Sequence, residues 1–314
     1  MPCFKTATAS VSFPLWVAVS PSEQAMKKPV DECLTARLQK SADKISLPGG
    51  SPIRVLDDEA AKRLADSSKT ALGPVYAAAA AADIFPERFL RNARSLSTKD
   101  QAQLLDCRIA VVGLGGLGGV VVEILARIGI GAMTLIDGDR FEESNLNRQL
   151  LSTVDTLGAA KADSAADRVR SINPAVALTV CSEFFDDTGA DALLRDADLV
   201  VDCLDSIPAR FELEAAAGRA RLPLVSAAVA GAAGHVTTIF PGDPGLSLIY
   251  GEAEASVQKG SEAELGCLPQ AVFLLASLEA SEAVKVVLAK QTLLRNRLLV
   301  IDLFENIFEV VDMS

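Results

Sequence analysis

The run Arg108-Ile-Ala-Val-Val-Gly-Leu-Gly-Gly-Leu-Gly-Gly119 decides the fold. Its first five residues read as a short strand, apolar enough to be covered on both faces. Glycines follow at once, at Gly113, Gly115, Gly116 and Gly118, and Gly119 to Ile128 reads as a helix. Strand, glycine turn and helix in that order let the backbone turn tightly and approach a phosphate, with unpaired N–H groups and a positive dipole end at the helix start. Thr134-Leu-Ile136 is a second buried strand, and it stops at Asp137, where a carboxylate can accept hydrogen bonds from a ribose. Alone, the glycine turn and Asp137 say only nucleotide.

Working outward, Lys161 to Ile172 reads as a helix ended by Asn173-Pro174, Val176 to Val180 as a third strand and Leu199 to Cys203 as a fourth. Strands alternating with helices imply right-handed βαβ crossovers and a parallel sheet. After Arg221 the links shorten. Leu224–Ala228, Val236–Phe240, Leu298–Asp302 and Ile307–Val311 read as antiparallel additions to the same sheet. The expected class is therefore three-layer α/β/α, a Rossmann-like parallel half followed by antiparallel strands in one continuous mixed sheet. The helix expected from Ala271 to Leu288 carries Glu279, Glu282 and Lys285 as one polar stripe on an otherwise apolar surface.

Upstream, residues 1–55 lack sustained periodicity and hold six prolines, so a loosely ordered extension is expected there. Met26-Lys27-Lys28 resembles a start site, which would make 1–25 an upstream extension; N-terminal sequencing of the native protein tests this. Residues 58–83 are alanine-rich and helical by propensity, within a lead-in over 56–105, and residues 106–314 form the nucleotide-binding domain.

Composition narrows the function. The 314 residues carry a net charge of −11 with no Lys/Arg tract, which weighs against nucleic acid as a partner, and half are hydrophobic, which excludes a disordered chain. The six cysteines are scattered without a C-x-x-C pair, so a disulfide framework and a four-thiolate zinc site are not expected, and reduced thiols point to the cytoplasm. Val11–Val19 is short and broken by Pro14, and Ala271–Ala289 holds three charges, so no membrane span is expected.

Chemistry concentrates after Asp137. Within one turn-rich segment lie Asn145, Arg148 and Gln149, and Lys161 begins the next helix. Two cations beside a nucleotide suit a triphosphate better than a dinucleotide; the plainer reading makes them solvated surface charges. Asp205 sits just past a strand at the carboxyl edge of the parallel sheet, where a carboxylate can hold Mg²⁺ against phosphate oxygens or simply cap the helix that begins near Pro208.

The glycine loop, Ser144-Asn-Leu-Asn-Arg-Gln149, Gly158-Ala-Ala-Lys161, Asn173-Pro174, Val201-Asp-Cys-Leu-Asp205, Pro223-Leu-Val-Ser226 and Gly234-His-Val-Thr237 occur in the order seen in the ubiquitin-activating E1-like superfamily. From Arg88 to the C-terminus the chain resembles its MoeB/ThiF/HesA branch, which adenylates small sulfur-carrier proteins. The resemblance implies ATP-dependent adenylation of the C-terminal Gly-Gly carboxylate of a β-grasp carrier, with release of pyrophosphate. It implies that Asp137 holds the ribose, that Asn145, Arg148 and Lys161 bind phosphates, that Asp139 and Gln149 share the pocket, and that Asp205 positions Mg²⁺. Arg88-Phe-Leu-Arg91 resembles the segment that sends an arginine into the partner subunit's ATP site, which makes Arg91 the candidate finger and the protein a homodimer.

The departures are as informative. Where many relatives hold a zinc ion with paired C-x-x-C motifs, Ser247-Leu-Ile-Tyr250 has no Cys and the second pair is missing, so no zinc is expected. No Cys lies between Gly251 and Leu265; Cys267 is the nearest, either a covalent carrier thiol or a packing residue, and Cys203 reads as structural. No rhodanese-like segment is attached, so sulfur would come from a donor in trans. His235, the lone histidine, reads as core or edge. Three other readings stay open: a cousin that adenylates a carboxylate on modified tRNA, an NAD-dependent oxidoreductase, and an inactive scaffold of the same fold.

Overall fold

The computed structural model describes residues 32–46, 52–251 and 262–313. In chain order its elements are α1 (Glu32–Ser41), β1 (Asp43–Ser46), β2 (Pro52–Leu56), α2 (Asp58–Ser68), α3 (Leu72–Ala81), β3 (Phe85–Pro86), a 3-10 turn at Glu87–Asn92 and α4 (Thr98–Asp106). Then come β4 (Arg108–Val112), α5 (Gly116–Ile128), β5 (Ala132–Ile136), α6 (Lys161–Ile172), β6 (Ala177–Cys181), α7 (Asp187–Leu194), β7 (Leu199–Asp202) and α8 (Ile207–Ala220). The chain continues with β8 (Leu224–Ala230), β9 (Ala233–Ile239), α9 (Ser247–Tyr250), α10 (Glu262–Leu265), α11 (Pro269–Val287), β10 (Arg297–Asp302) and β11 (Ile307–Asp312).

Eight strands form one mixed sheet in the order β11-β10-β9-β8-β7-β4-β5-β6. From β6 to β8 neighbours are parallel; from β8 to β11 they are antiparallel. The strand order reverses between β4 and β7, and in open α/β sheets the crevice at such a reversal is where ligands bind. One face is covered by α5, α6 and α11 through a core that includes Val121, Leu125, Leu135, Val201 and Leu275. The opposite face meets α7, α8 and α9 through Val112, Ile136, Leu194, Leu213 and Leu246. The expected three-layer class is the observed one.

Two differences have physical causes. Residues 32–46 and 52–55, expected to be loosely ordered, form α1, β1 and most of β2, and together with α2, α3 and β3 enclose a second core around Leu38, Leu56, Val75, Tyr76 and Phe89. Elements of four or five residues cannot display a period, and alanine-rich helices supply the rest of that core. Residues 1–31, including the candidate start at Met26, lie outside the described residues. The alanine-rich stretch 58–83, expected to be helical, forms two helices, because Lys69 adopts the left-handed conformation (φ 51°) and its N–H caps the end of α2.

The polar stripe of α11 points inward. Glu279 and Glu282 are buried. Glu282 is paired with Lys285 and accepts from the Thr238 hydroxyl at 2.9 Å and from the Leu294 N–H, so it ties α11 to β9 and to the segment before β10. Among the described residues no helix is long and apolar enough to cross a membrane.

Candidate active site

The site begins where β4 turns into α5. The helix starts at Gly116, three residues before the sequence suggested, so the glycine run itself forms its first turn. Gly113 takes φ +88°, and a Cβ there would lie 2.6 Å from the Cys203 carbonyl oxygen. A Cβ on Gly118 would lie 1.9 Å from the Gly113 carbonyl, so only glycine lets the loop and the helix close on each other. The result is a backbone cradle at a helix N-terminus with no side chain in it, the arrangement that receives a phosphate.

Asp137, at the end of β5, locks that cradle. Its Oδ2 accepts from the Leu114 N–H at 2.6 Å and its Oδ1 from the Asp139 N–H at 2.8 Å. Each oxygen keeps a further lone pair, so the carboxylate can still accept from hydroxyls while holding the loop. Asp139 in turn binds Lys161, whose Nζ lies 3.0 Å from Asp139 Oδ2 and whose backbone N–H donates to the Asp139 carbonyl at 2.9 Å. With 7 % of its surface exposed, Lys161 is no solvated surface charge. Arg148 is folded onto its own loop, donating through Nη1 to the Ser144 carbonyl at 2.9 Å and to Asn147 Oδ1 at 3.0 Å, which leaves its remaining N–H groups over. Asn145 is buried and accepts from the Glu142 N–H at 3.0 Å, shaping that loop.

Gln149 is a polar group that the fold leaves unsatisfied here, as is the Ser152 hydroxyl three residues on. It is buried, its amide faces Gly115, and its Oε1 has no hydrogen-bond partner among the described residues. An orphaned amide oxygen costs on the order of 1–3 kcal/mol, so its placement against the cradle suits a ligand that supplies a donor.

Across the reversal, β7 ends at Asp202 and the chain reaches Asp205 three residues on. Asp205 is exposed and has no hydrogen bond or ion pair among the described residues. It does not cap α8: the N-cap residue is Ser206, and no side chain bonds there. The loop that carries it is held from below. Asp202, with 0 % exposure, accepts from Arg210 Nη1 at 2.9 Å, Ser226 Oγ at 2.7 Å and the Leu204 N–H at 3.1 Å, while Arg210 also donates to the Ala227 carbonyl at 2.8 Å and to the Leu204 carbonyl. Beneath Cys203, the thiol donates to Glu279 Oε2 at 3.5 Å. Burial, reinforced by Asp202 and opposed by Arg210, pushes the Glu279 carboxyl well above the ordinary range, and burial likewise pushes the Cys203 thiol up, so Cys203 is a packing group and no nucleophile. This layer was missed in the sequence, although an Asp ending an apolar strand was a visible signal.

Three candidates are not brought to the cradle. Arg91 lies on the 3-10 turn whose Phe89 packs against Gly129, past the far end of α5, about 20 Å from the glycine loop at 1.5 Å of helix rise per residue. It is exposed and unpaired among the described residues, whereas Arg88, three positions earlier, is bound to Asp58 and to the Ile172 carbonyl. Cys267 bridges Gly231 just before α11, half-buried, with Sγ 3.6 Å from the Val229 carbonyl; the Cys-free segment 252–261 lies outside the described residues. His235 pairs with the Tyr250 hydroxyl at 3.3 Å, and burial together with Arg210 lowers its pKa to about 4, so it is a neutral structural group.

Solved structures share this architecture. Escherichia coli MccB with ATP superimposes with a TM-score of 0.59 over 73% of this chain and 72% of that one, at 21% identity. Escherichia coli tRNA N6-threonylcarbamoyladenosine dehydratase does so at 0.55 over 65% of this chain and 95% of that one, at 28% identity. In sequence, the chain is 37% identical over 198 residues to the molybdopterin-synthase adenylyltransferase of Escherichia coli, covering 62% of this chain and 78% of that protein. It is 34% identical over 211 residues to the SAMP-activating enzyme E1 of Haloferax volcanii, covering 67% and 78%. Residues 89–314 match the ThiF family over a span that takes in the cradle, its acids and its cations, and the chain therefore belongs to that family, of the E1-like type.

Proposed function

We propose that the protein uses ATP to adenylate the C-terminal glycine carboxylate of a small β-grasp sulfur-carrier protein. The observation that carries this reading is the juxtaposition of a side-chain-free phosphate cradle with a carboxylate, Asp205, that the fold positions through a buried ion pair and then leaves unpaired. A structural acid would have been paired. The names of the relatives, an adenylyltransferase and an activating enzyme for small modifier proteins, support the same chemistry.

In this reading the Gly113–Gly118 backbone and the start of α5 hold the nucleotide phosphates, and Asp137 accepts from the ribose hydroxyls. Arg148 and Lys161 swing from their present partners, Ser144 and Asp139, to neutralise phosphate charge, and Asp139 releases Lys161 as it does so. Gln149 and Asn145 complete the floor. Asp205, free and exposed, fits a Mg²⁺ ion. That ion, when bound, draws electron density from the phosphate oxygens and so favours attack at the α-phosphorus. The carrier carboxylate forms the new O–P bond and pyrophosphate leaves with the bond electrons, so the protein's contribution is position and charge. Arg91 serves the site of a second copy in a homodimer, which its distance from its own cradle supports. Sulfur then arrives from a separate donor, and the net charge of −11 favours a protein over a tRNA as the carboxylate's bearer.

The test is ATP–pyrophosphate exchange with Mg²⁺ and the host's β-grasp carriers, each intact and with its terminal Gly-Gly removed. Exchange with one intact carrier, lost with the trimmed form, is expected. ATP binding without exchange for any carrier moves the reading to a carboxylate on a small molecule or tRNA. NAD binding in place of ATP would sink it.

A further inference from the structure

The turn that carries Arg91 cannot hold itself. It is a 3-10 turn of 6 residues, Glu87–Asn92, and the i→i+3 bonds of such turns are poorly aligned, so runs beyond three or four residues are uncommon. What holds it lies outside it. On the entry side β3 leads into Glu87, paired in parallel with β2 through Val55↔Phe85 and Leu56↔Pro86. On the exit side the Thr98 hydroxyl, at the start of α4, donates to Asp83, and Asn92 Nδ2 donates to Gln101 Oε1 at 3.1 Å. Phe89 is buried between the Tyr76 ring, edge-on at 6.0 Å, and Gly129, where a Cβ would lie 2.8 Å from two of its ring carbons.

Arg88 is the centre of these anchors. Its Nη2 is paired with Asp58, the first residue of α2, and its Nη1 donates to the Ile172 carbonyl at 2.6 Å, at the end of α6. Asp58 is itself set in place. Its Oδ1 accepts from the Tyr76 hydroxyl at 2.6 Å, and burial, reinforced by Asp58, pushes that hydroxyl up to about 12, so it stays a donor. α3, which carries Tyr76, sits on the turn after α6: a Cβ on Gly73 would lie 2.6 Å from the Ala175 carbonyl oxygen. Arg88, Phe89, Leu90 and Asn92 are therefore packed or bonded, which leaves Glu87 and Arg91 exposed.

We propose that the segment 32–86, which precedes the family span, is the mount of the finger: Asp58, through Arg88, is a positioning residue that fixes the turn from which Arg91 reaches the second copy's site. This rests on reading Arg91 as that finger. A long, many-rotamer side chain acting in another subunit arrives in register only from a fixed backbone, and a misplacement of about 1 Å can cost about a hundredfold in rate. Arg88 and Asp58 keep 22% and 33% of their side-chain surface exposed, where ion pairs add little stability, so placement is their larger effect.

The test is a double-mutant cycle on the full chain, read by ATP–pyrophosphate exchange: Asp58→Asn, Arg91→Ala and the two together, with Glu59→Gln as control. An amide at position 58 still accepts from Tyr76 but carries no charge for Arg88. Glu59, the neighbouring acid of α2, pairs with Arg63 on the exposed face. We expect Asp58→Asn to lower kcat about 3- to 10-fold, within the roughly tenfold to hundredfold loss expected of Arg91→Ala, and to leave the carrier KM and the melting temperature unchanged. Added to Arg91→Ala it should do nothing more, since a mount without its finger has nothing to place. Hydrogen exchange reads the same turn without any carrier: the amides of 87–92 should lose protection in Asp58→Asn and keep it in Glu59→Gln. Unchanged protection of 87–92, wild-type kcat in Asp58→Asn, or a loss of equal size with and without Arg91 overturns the proposal and leaves Arg91 as the finger. An Arg91→Ala chain as fast as the wild type removes the finger reading and the mount with it.

Discussion

Two acids three residues apart sit in opposite worlds. Asp202, below the sheet's reversal, belongs to a buried layer in which the ion pairs are structural: Arg210 and Ser226 hold it, and on α11 Lys285 answers Glu282, while the Glu279 Oε1 is left without a partner. Asp205, at the rim, is answered by nothing among the described residues, the Gln149 oxygen against Gly115 is orphaned, and Phe184 against Gly138 is turned out. The lower region spends its polar groups on structure. The rim leaves them for something else. Charged residues of one type within one motif therefore have to be sorted by what the fold does with them, and the sorting separates residues whose loss should cost stability from those whose loss should cost activity.

The sharpest way to break this contrast is to remove each member. Asp205→Ala should lower adenylation at least about a thousandfold through loss of the metal-holding carboxylate, while thermal unfolding stays unchanged, since an exposed unpaired side chain contributes little. A comparable drop in stability would place Asp205 in the lower layer after all. Arg210→Leu should do the reverse: stranding a buried carboxylate costs about 3–5 kcal/mol, on the order of a 10 °C loss in melting temperature for a chain of this size.

The next largest effect is a pH dependence. Since the His235 pKa is about 4 in the folded protein against 6.5 when unperturbed, the unfolded chain binds a proton that the folded chain refuses. Stability should therefore fall as pH drops from about 6.5 to 4, by about 3 kcal/mol once both limits are passed. His235→Asn should flatten that slope, measured by denaturant unfolding at pH 7 and at pH 4.5. Adenylation by the variant at pH 7 should survive, because the ring is neutral there and touches Tyr250 rather than the cradle.

The same contrast explains what could be read from residues alone. β4, β5 and β7 announced themselves because strands buried on both faces are continuous apolar runs, and the antiparallel half because its links are too short for crossovers. The cradle was legible because glycine has few other uses in that order. The polar layer was not. In α8 the inward positions are Arg210, Leu213, Ala216 and Ala217, a regular helical stripe in which an arginine occupies an apolar slot, and nothing in the spacing reveals that Asp202 waits across from it. α11 hid its carboxylates likewise, since a polar stripe looks solvated until β9 and the segment before β10 are seen to cover it. The outward turn of Phe184 against the inward Phe185 depends on the cap of α7, an eight-residue helix too short to show a period. Periodicity reports which face is buried and stays silent on which charge is paired.

The smallest effects sharpen the comparison on a second pair, also three residues apart. Arg88 is tied to Asp58 and to the end of α6, so Arg88→Ala should cost about 1–2 kcal/mol of stability. Arg91 is tied to nothing among the described residues and stands about 20 Å from its own cradle, so Arg91→Ala should leave stability alone and slow adenylation roughly tenfold to a hundredfold. If that loss arises because Arg91 acts in the partner's site, mixing makes it reversible. Co-refolded Arg91→Ala and Asp205→Ala chains should form mixed dimers in which the chain with an intact Asp205 receives an intact Arg91 from its partner. Statistical assortment then returns about a quarter of the wild-type activity from one parent slowed tenfold or more and one that is nearly inactive. If Arg91 acted within its own chain, every site in the mixture would still carry one defect and the activity would not rise above the average of the two parents.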